Sequence, residues 1–170
     1  MKEISFRDDI LPLKDKLFRL ALRITLDRAD AEDVVQETLI RMWNKRDEWA
    51  TMDSTEAYAL TVCRNLALDL TAKASHQNLT LDEDRDAAPA TATTPYEELD
   101  ARERLDIVKR LIDGLPEIQR SIMELRDVEG KSYQEIAGIL DISEEKVKVY
   151  LFRARQKIKM QFSKIDGYGL

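Results

Sequence analysis

The 170-residue chain contains one cysteine and one histidine, and this scarcity excludes several kinds of site. Cys63 has no partner for an internal disulfide, and no Cys/His cluster has the spacing of a zinc site. No glycine-rich loop that could cradle a phosphate is present either. The sequence therefore predicts no catalytic residues, no metal, no cofactor and no small-molecule substrate. With Leu60, Val62 and Leu66 around it, Cys63 is predicted to be a small buried hydrophobic residue rather than a redox sensor.

The chain also has only five glycines and four prolines, and aromatic residues make up 6% of it. A β-sandwich needs turn residues every ten positions or so, which these numbers do not provide. No segment alternates with period two, whereas apolar residues recur at helical spacing in seven segments. These segments are residues 8–26, 31–46, 55–74, 98–114, 117–128, 132–140 and 143–162. The predicted fold class is therefore all-α.

Long apolar runs are missing from the N-terminus, where charged residues interrupt "MKEISFRDDILPLKDKLFRL" every few positions. This pattern contains neither the core of a signal peptide nor a membrane span. We therefore expect a cytoplasmic protein.

Large apolar residues are sparse in residues 78–97, which hold Asp82, Glu83, Asp84 and Asp86 followed by an Ala/Thr/Pro run. Such a segment buries too little surface to offset the entropy lost on ordering. The prediction is a flexible acidic linker that joins two small helical domains, residues 1–77 and residues 98–170.

The C-terminal domain carries the signals of a helix-turn-helix. Ser132 and Glu135 have the spacing of a capping box, which predicts a helix start at Ser132. After Leu140, Asp141 and Ile142 form a turn, and Ser143 is predicted to cap the next helix. Two helices joined in this way are typical of DNA-binding domains.

The second of these helices is basic, although the whole chain has a net charge of -6. Between residues 146 and 164 there are seven cations and no acid. At 100° per residue, one face is predicted to be core: Val147, Tyr150, Leu151, Ala154, Ile158 and Phe162. The opposite face holds Lys146, Lys148, Val149, Phe152, Arg153, Gln156 and Lys159. Cations for phosphates beside apolar groups for thymine methyls indicate a recognition helix, and the alternative is a basic solvated face.

In the N-terminal domain, "DAEDVVQETLIRMWNKRDEW" predicts a helix capped by Asp30. Its predicted core positions are Ala31, Val35, Leu39, Met42 and Trp43. The other side shows Asp33, Gln36, Glu37, Ile40 and Asn44, which is either a solvated face or a docking face for a basic partner.

The next helix has capping candidates Asp53 and Ser54, and Trp49 and Tyr58 lie near its beginning. Beside Arg64 and Asn65, these aromatic rings can stack on unpaired bases, and core packing is the alternative for each ring.

Three segments, in order, together resemble the extracytoplasmic-function (ECF) sigma factors, the compact two-domain group of bacterial RNA polymerase sigma subunits. They are "DAEDVVQETLIRMW", "AYALTVCRNLALDLTAKA" with Arg64, Asn65 and Asp69, and "LPEIQRSIMELRDVEGKSYQEIAGILDISEEKVKVYLFRARQKI". The resemblance covers nearly the whole chain.

The resemblance implies a protein without covalent chemistry that binds RNA polymerase core and directs promoter recognition. Region two would bind the β′ clamp helices through Asp33, Gln36, Glu37 and Ile40, and the β subunit is a further expected contact. Tyr58, Arg64 and Asn65 would meet the unwound minus-ten strand. Region four would read the minus-thirty-five element through Lys146, Lys148, Val149 and Arg153. An anti-sigma factor is an expected partner.

The chain departs from the family pattern at Leu70-Thr71-Ala72-Lys73, where basic residues usually follow the Asp, and at Val149, Tyr150 and Phe152. Its promoter preference is therefore not transferable from the family. Three other classes are alternatives: an enzyme, which the residue composition disfavours, a stand-alone repressor or activator that dimerises on an operator, and a helical adaptor that binds only protein.

Overall fold

The computed structural model of the chain describes residues 3–77 and 101–166, and every regular element in these two ranges is helical. The N-terminal half (residues 3–77) contains α1 (Lys14–Thr25), α2 (Arg28–Asn44) and α3 (Thr55–Gln77). The C-terminal half (residues 101–166) contains α4 (Ala101–Asp113), α5 (Glu117–Met123), α6 (Tyr133–Leu140) and α7 (Glu144–Asp166). The predicted all-α class is confirmed, whereas the predicted linker at 78–97 lies outside the described residues.

Short helical turns flank the main helices. A π-helical turn (Phe6–Ile10) and a 3-10 turn (Leu11–Leu13) lead into α1, and a second 3-10 turn (Arg46–Thr51) joins α2 to α3. A second π-helical turn (Glu124–Val128) continues α5. These tighter or wider turns let the chain change direction between the main helices.

The N-terminal half is a bundle in which α1, α2 and α3 each pack against the other two. Leu17, Leu20, Met42 and Leu60 are fully buried at its centre. Burying one such aliphatic side chain contributes on the order of 1.5 to 3 kcal/mol. The bundle thereby holds the outer faces of α2 and α3 in fixed orientations.

Trp43 and Trp49 have opposite environments. Trp49 is buried, and its indole Nε1 donates to the carbonyl oxygen of Met42 at 3.0 Å, so it packs in the core. Trp43 is 47% exposed, and the prediction that it lies in the core is wrong. It follows Met42 by one residue and is therefore rotated by about 100° from the buried stripe of α2. There its ring meets Phe6 edge-on and lies 4.5 Å from the guanidinium of Arg46.

The start of α2 also differs from the prediction. Asp27, not Asp30, is the N-cap, and its carboxylate accepts a hydrogen bond from the amide of Asp30 at 2.9 Å. The reason lies in the preceding residue, because Leu26 ends α1 in the left-handed conformation with φ 56°. Asp27 is then extended, as a capping residue must be, and the helix begins one turn earlier than predicted.

The helix-turn-helix is formed as predicted. The amide of Glu135 donates to Ser132 Oγ at 3.1 Å, and the amide of Ser132 donates to Glu135 Oε1 at 3.3 Å, which completes the capping box. Ile142 packs against the core from the turn, and Ser143 Oγ accepts from the amide of Lys146 at 3.2 Å. These two caps fix where α6 and α7 begin and hence the angle at which α7 is presented.

The two halves pack directly against each other. Helix α1 contacts α5, and α3 contacts α6. Buried apolar residues of both halves belong to a single hydrophobic cluster, which includes Leu17 and Leu60 as well as Ile122 and Ile136. The surfaces of α1 and α3 that face the C-terminal half are therefore not free in this arrangement.

We expect Cys63 to resist thiol reagents in the folded protein. Its side chain is fully buried and donates to the carbonyl oxygen of Leu17 at 3.3 Å. Burial raises the pKa of the thiol from 9.0 to about 12, which lowers the thiolate fraction at neutral pH by about a thousandfold. Reaction with a chromogenic disulfide should be slow in buffer and fast in denaturant. Fast reaction in buffer would show that α1 and α3 do not enclose Cys63.

The capping box of α6 should give a defined pH dependence. The Ser132 amide donates to Glu135 and holds the pKa of its carboxyl below the usual 4.5. Its charged form therefore stabilises the fold above pH 4.5, and that contribution is lost as the pH falls through the lowered pKa. Glu135→Gln keeps the cap geometry but lacks the charge.

Chemical denaturation over a pH series measures this effect. The wild type should be more stable than Glu135→Gln at neutral pH, and the two should converge in acid. Glu135→Ala, which also loses the cap, should remain less stable in acid. A difference between wild type and Glu135→Gln that does not vary with pH would contradict the prediction.

Candidate nucleic-acid and protein-binding surfaces

The outer face of α7 is a continuous basic surface with apolar groups in it. Lys146, Lys148 and Arg153 are exposed, as predicted, and Val149 and Phe152 are 45% and 63% exposed. The predicted core stripe of the same helix is confirmed in part, since Val147, Leu151 and Ala154 are buried whereas Tyr150, Ile158 and Phe162 are half-buried. The basic and apolar groups together match what a helix needs to contact phosphates and base edges in a major groove.

The cations of α7 differ in what they contact. Arg155 forms an ion pair with Asp127, and Lys148 Nζ lies 5.4 Å from the ring centre of Tyr133 at the start of α6. The same ring carries the guanidinium of Arg126 at 4.4 Å. Helix α6 thus orients Lys148 through a cation–π contact. The charge of Arg155, in contrast, is partly neutralised by the carboxylate of Asp127 in the same half.

The outer face of α2 places four predicted docking residues together. Asp33, Gln36, Glu37 and Ile40 are all exposed, with Ile40 at 54%. Glu37 is paired with Arg41 one turn later, at 3.3 Å between Oε1 and Nε. Such exposed pairs contribute little to stability, so Glu37 can change partner at low energetic cost.

Sequence reasoning missed one residue of this face. The exposed ring of Trp43 follows Ile40 by three positions, so the two side chains are neighbours on the helix surface. The helical spacing argues against burial of both Met42 and Trp43, because adjacent residues point in different directions and one narrow buried stripe cannot hold both. Together Ile40 and Trp43 form an apolar centre with acidic and amide groups beside it.

The predicted minus-ten residues on α3 have three different environments. Asn65 is exposed, and Tyr58 is half-buried and packs against the hydrophobic cluster. The Arg64 side chain is only 12% exposed, and its Nη2 donates to Glu117 Oε2 of α5 at 3.1 Å. Among the described residues, its buried Nε has no hydrogen-bond acceptor. Of the three, Asn65 is therefore the most open to solvent.

A set of charged contacts between the halves was not predicted at all. Arg19 forms a bidentate pair with Glu129, and Arg23 pairs with Asp113 at 3.0 Å. Burial raises the pKa of Glu124, which lies within 4 Å of both arginines, and lowers the pKa of Arg120. No sequence signal pairs these residues, because they are about 90 or more positions apart along the chain.

The described ranges contain neither a metal-binding cluster nor a membrane-spanning helix. Within residues 3–77 and 101–166, no group of three or more His, Cys, Asp or Glu side chains is arranged to hold a metal ion. No helix in these ranges combines the length and the apolar character that crossing a bilayer requires.

Two family models match the chain, and they match the two halves separately. Residues 10–77 match "Sigma-70 region 2" and residues 105–158 match "Sigma-70, region 4". The first match contains the outer faces of α2 and α3, and the second contains the helix-turn-helix.

Curated relatives give the same result. The ECF RNA polymerase sigma factor SigL of Mycobacterium tuberculosis is 34% identical over 150 residues, which cover 88% of this chain and 84% of that protein. SigE of Mycolicibacterium smegmatis, also an ECF sigma factor, is 31% identical over 152 residues. The aligned part is 88% of this chain and 58% of that relative.

Solved structures show that the fold is shared. The sigma factor RpoE from Bartonella quintana, determined in complex with the anti-sigma factor NepR, superposes with a TM-score of 0.73 at 25% identity. The superposition covers 95% of this chain and 98% of that one. CnrH, in complex with the cytosolic domain of CnrY, gives a TM-score of 0.63 at 18% identity and supports the fold alone.

The two region matches follow each other in order along the chain, and the identity to SigL extends over most of both chains. Both findings agree with the helix-turn-helix and with the exposed basic face of α7. This chain therefore belongs to the ECF group of RNA polymerase sigma factors, which direct the initiation of transcription.

Proposed function

We propose that the chain works as two units, residues 1–77 binding core polymerase and the minus-ten strand, and residues 98–170 binding the minus-thirty-five element. Residues 78–97 would connect them. The observation that carries this proposal is the exposed basic face of α7, beside a second exposed face of opposite character on α2. One face suits duplex DNA and the other suits protein.

The α2 face is the proposed contact with the β′ clamp helices of core polymerase. Asp33 and Glu37 offer carboxylates one turn apart, and Gln36 adds a hydrogen-bonding group. Ile40, with Trp43 next to it, gives the apolar centre that stable interfaces need. The β subunit is a further proposed contact of the assembled enzyme.

The α7 face is the proposed reader of the minus-thirty-five duplex. Lys146, Lys148 and Arg153 would contact phosphates and set the position of the helix in the groove, and Val149 would touch a base edge. On α3, Tyr58, Arg64 and Asn65 are the proposed contacts to the unwound minus-ten strand, where rings stack and amides hydrogen-bond to exposed bases.

Three broader features belong to the same proposal. The protein acts by binding and is not an enzyme, and it works in the cytoplasm, where polymerase and promoter DNA are found. An anti-sigma factor is a proposed partner, since the RpoE structure that superposes on 95% of this chain holds one.

Charge reversal on α2 tests the core contact. Asp33→Lys combined with Glu37→Lys should abolish binding to core polymerase, because like charges at an interface cost several kcal/mol. Helicity and the thermal midpoint should hardly change, since exposed substitutions usually alter stability by less than about 0.5 kcal/mol. Binding is measured by pull-down of core and by competition against wild-type sigma factor.

Asp47→Lys combined with Glu48→Lys is the matched control. It makes the same charge change in an exposed segment, the 3-10 turn after α2. This control should bind core as the wild type does. Wild-type binding by the Asp33/Glu37 variant would overturn the assignment of the α2 face.

Substitutions in α7 separate phosphate contacts from base contacts. Lys148→Ala should weaken binding to all sequences alike and lower the salt slope of binding by about 0.9, the value for one phosphate. Val149→Ser should leave the slope unchanged and alter discrimination at one or two positions by roughly 1 to 3 kcal/mol. Holoenzyme is titrated against an upstream-element library at several salt concentrations.

Lys164→Ala is the control for Lys148→Ala, because it removes the same charge near the far end of α7. Its salt slope should equal that of the wild type. If Lys148→Ala also keeps the wild-type slope, and Val149→Ser keeps the wild-type sequence preference, then α7 presents only a solvated surface.

A further inference from the structure

The C-terminal end of α2 carries an exposed tryptophan that is held from two sides. Trp43 is 47% exposed, a large fraction for so apolar a ring. Phe6, from the π-helical turn before α1, meets the indole edge-on, with 5.6 Å between the ring centres. The guanidinium carbon of Arg46 lies 4.5 Å from the centre of the same indole. The ring is therefore open to a partner and at the same time confined.

Side chains that bind the backbone fix this end of α2. The last carbonyl oxygens of a helix lack partners within the helix. Here the oxygen of Met42 accepts from the indole Nε1 of the buried Trp49 at 3.0 Å, and the oxygen of Trp43 accepts from Arg46 Nη1 at 3.1 Å. Arg46 thus contacts both the backbone and the ring of Trp43. Side chains held in this way lose little further conformational entropy when they meet a partner.

The charge of Arg46 is not balanced by a carboxylate of the described ranges. Two neighbouring cations differ from it in this respect, since Arg41 pairs with Glu37 and Lys45 pairs with Glu48. The groups that hold Arg46, a carbonyl oxygen and an aromatic ring, are neutral. A guanidinium has five N–H donors, so one bond to a carbonyl leaves others for a second acceptor. An exposed, oriented guanidinium of this kind suits a carboxylate on another molecule.

Trp43 and Arg46 continue the outer face of α2 along one line. This docking line consists of Asp33, Glu37, Ile40, Trp43 and Arg46, all of them exposed and each three or four positions after the one before. Residues at such spacing are neighbours on a helix surface, and the contact of Arg46 with the indole carries the line into the 3-10 turn. Over about 20 Å, at 1.5 Å per residue, the line passes from two carboxylates through two apolar groups to one cation.

This change of charge along the docking line restricts which partner surface fits it. A uniformly basic surface would attract Asp33 and Glu37 but would repel Arg46. A surface that has cations at one end, an apolar centre and a carboxylate at the other end complements the whole line. It also fixes the direction in which the partner lies along α2, because the reverse orientation would bring like charges together.

We propose that core polymerase docks along the whole docking line, with Trp43 as the anchor and Arg46 paired with a carboxylate of the polymerase. Phe6 is a positioning residue, which holds the indole for this contact without meeting the partner itself. The inference rests on the proposed docking of core polymerase on α2. It adds to that proposal a cation at one end of the interface and the acidic group that this cation requires on the partner.

Substitutions of Arg46 test the polarity of the docking line through the sign of their effect. Binding of the full chain to core polymerase is measured without DNA, by competition against labelled wild-type chain. Arg46→Gln should weaken binding about tenfold, as expected when one charged hydrogen bond is lost, and Arg46→Glu about a hundredfold. A uniformly basic partner would instead bind Arg46→Glu more tightly than the wild type. Arg46→Lys keeps the charge without the planar fork and should fall between the wild type and Arg46→Gln.

Lys45→Glu is the matched control for Arg46→Glu. It makes the same charge change at the adjacent exposed residue, whose partner is Glu48 and which lies off the docking line. This control should bind core polymerase as the wild type does. A second readout separates binding from helix capping, because the affinity of Arg46→Gln should depend less steeply on salt than that of the wild type. Loss of a cap would lower the thermal midpoint and would leave that salt dependence unchanged.

Two further variants test the anchor and the residue that positions it. Trp43→Ala should weaken core binding by about thirtyfold or more, the effect of truncating an interface hot spot. Phe6→Leu keeps an apolar side chain in the N-terminal turn but removes the ring edge, so it should weaken binding less than Trp43→Ala does. Fluorine NMR of chain labelled with 5-fluorotryptophan follows the indole directly. In Phe6→Leu the resonance of Trp43, assigned with Trp43→Phe, should move while that of the buried Trp49 stays.

Several results would overturn the inference. Unchanged or tighter binding by Arg46→Glu would exclude a carboxylate opposite Arg46, and a defect seen only with promoter DNA present would assign this residue to nucleic acid. Unchanged binding by Trp43→Ala would show that the indole is not an anchor. The double variant Asp33→Lys with Glu37→Lys keeps the two proposals apart. If it binds as the wild type does, docking on α2 itself is wrong. If it loses binding while Arg46→Glu keeps it, only the extension to Trp43 and Arg46 is wrong.

Discussion

The packing of α1 and α3 against α5 and α6 is the constraint on which the rest of this structure depends. Arginine side chains make many of its polar contacts: Arg120 reaches the carbonyl end of α1, and Arg19, Arg23 and Arg64 each meet a carboxylate of the opposite half. A continuous hydrophobic cluster beneath these pairs supplies the non-directional part of the adhesion. The charges give the interface a single register, since each guanidinium must meet its own acceptor.

Helical amphipathicity explains how so small a chain carries exposed faces of different chemistry. Both α2 and α7 bury one stripe in the core and leave the opposite side to solvent. The outer side of α2 is acidic and amide-bearing with an apolar centre, and the outer side of α7 is basic. One helix in each half therefore offers an exposed face of different chemistry, and neither face takes part in the core packing.

Caps and turns set where those faces point. The capping box at Ser132 and Glu135, the left-handed Asp141 and the Ser143 cap fix the start and end of α6 and the start of α7. Asp27 does the same for α2, after Leu26 ends α1. Moving a cap by one residue would rotate a helix by about 100° and bring different side chains to the partner. Local hydrogen bonds thereby control which residues of each binding face are presented.

By itself, the sequence determined the helices, the helix-turn-helix and the two faces of α7, because periodicity and capping are local properties that neighbouring residues decide. Local reasoning failed at Asp27 and Trp43, where the end of the preceding helix and the limited width of a buried stripe made the choice. Only the tertiary structure decided the environment of Arg64. Its partner Glu117 is 53 positions away, and no local pattern specifies which cation meets which carboxylate across an interface. That pairing depends on the docking of whole helices, whose geometry is set by the packed core beneath them.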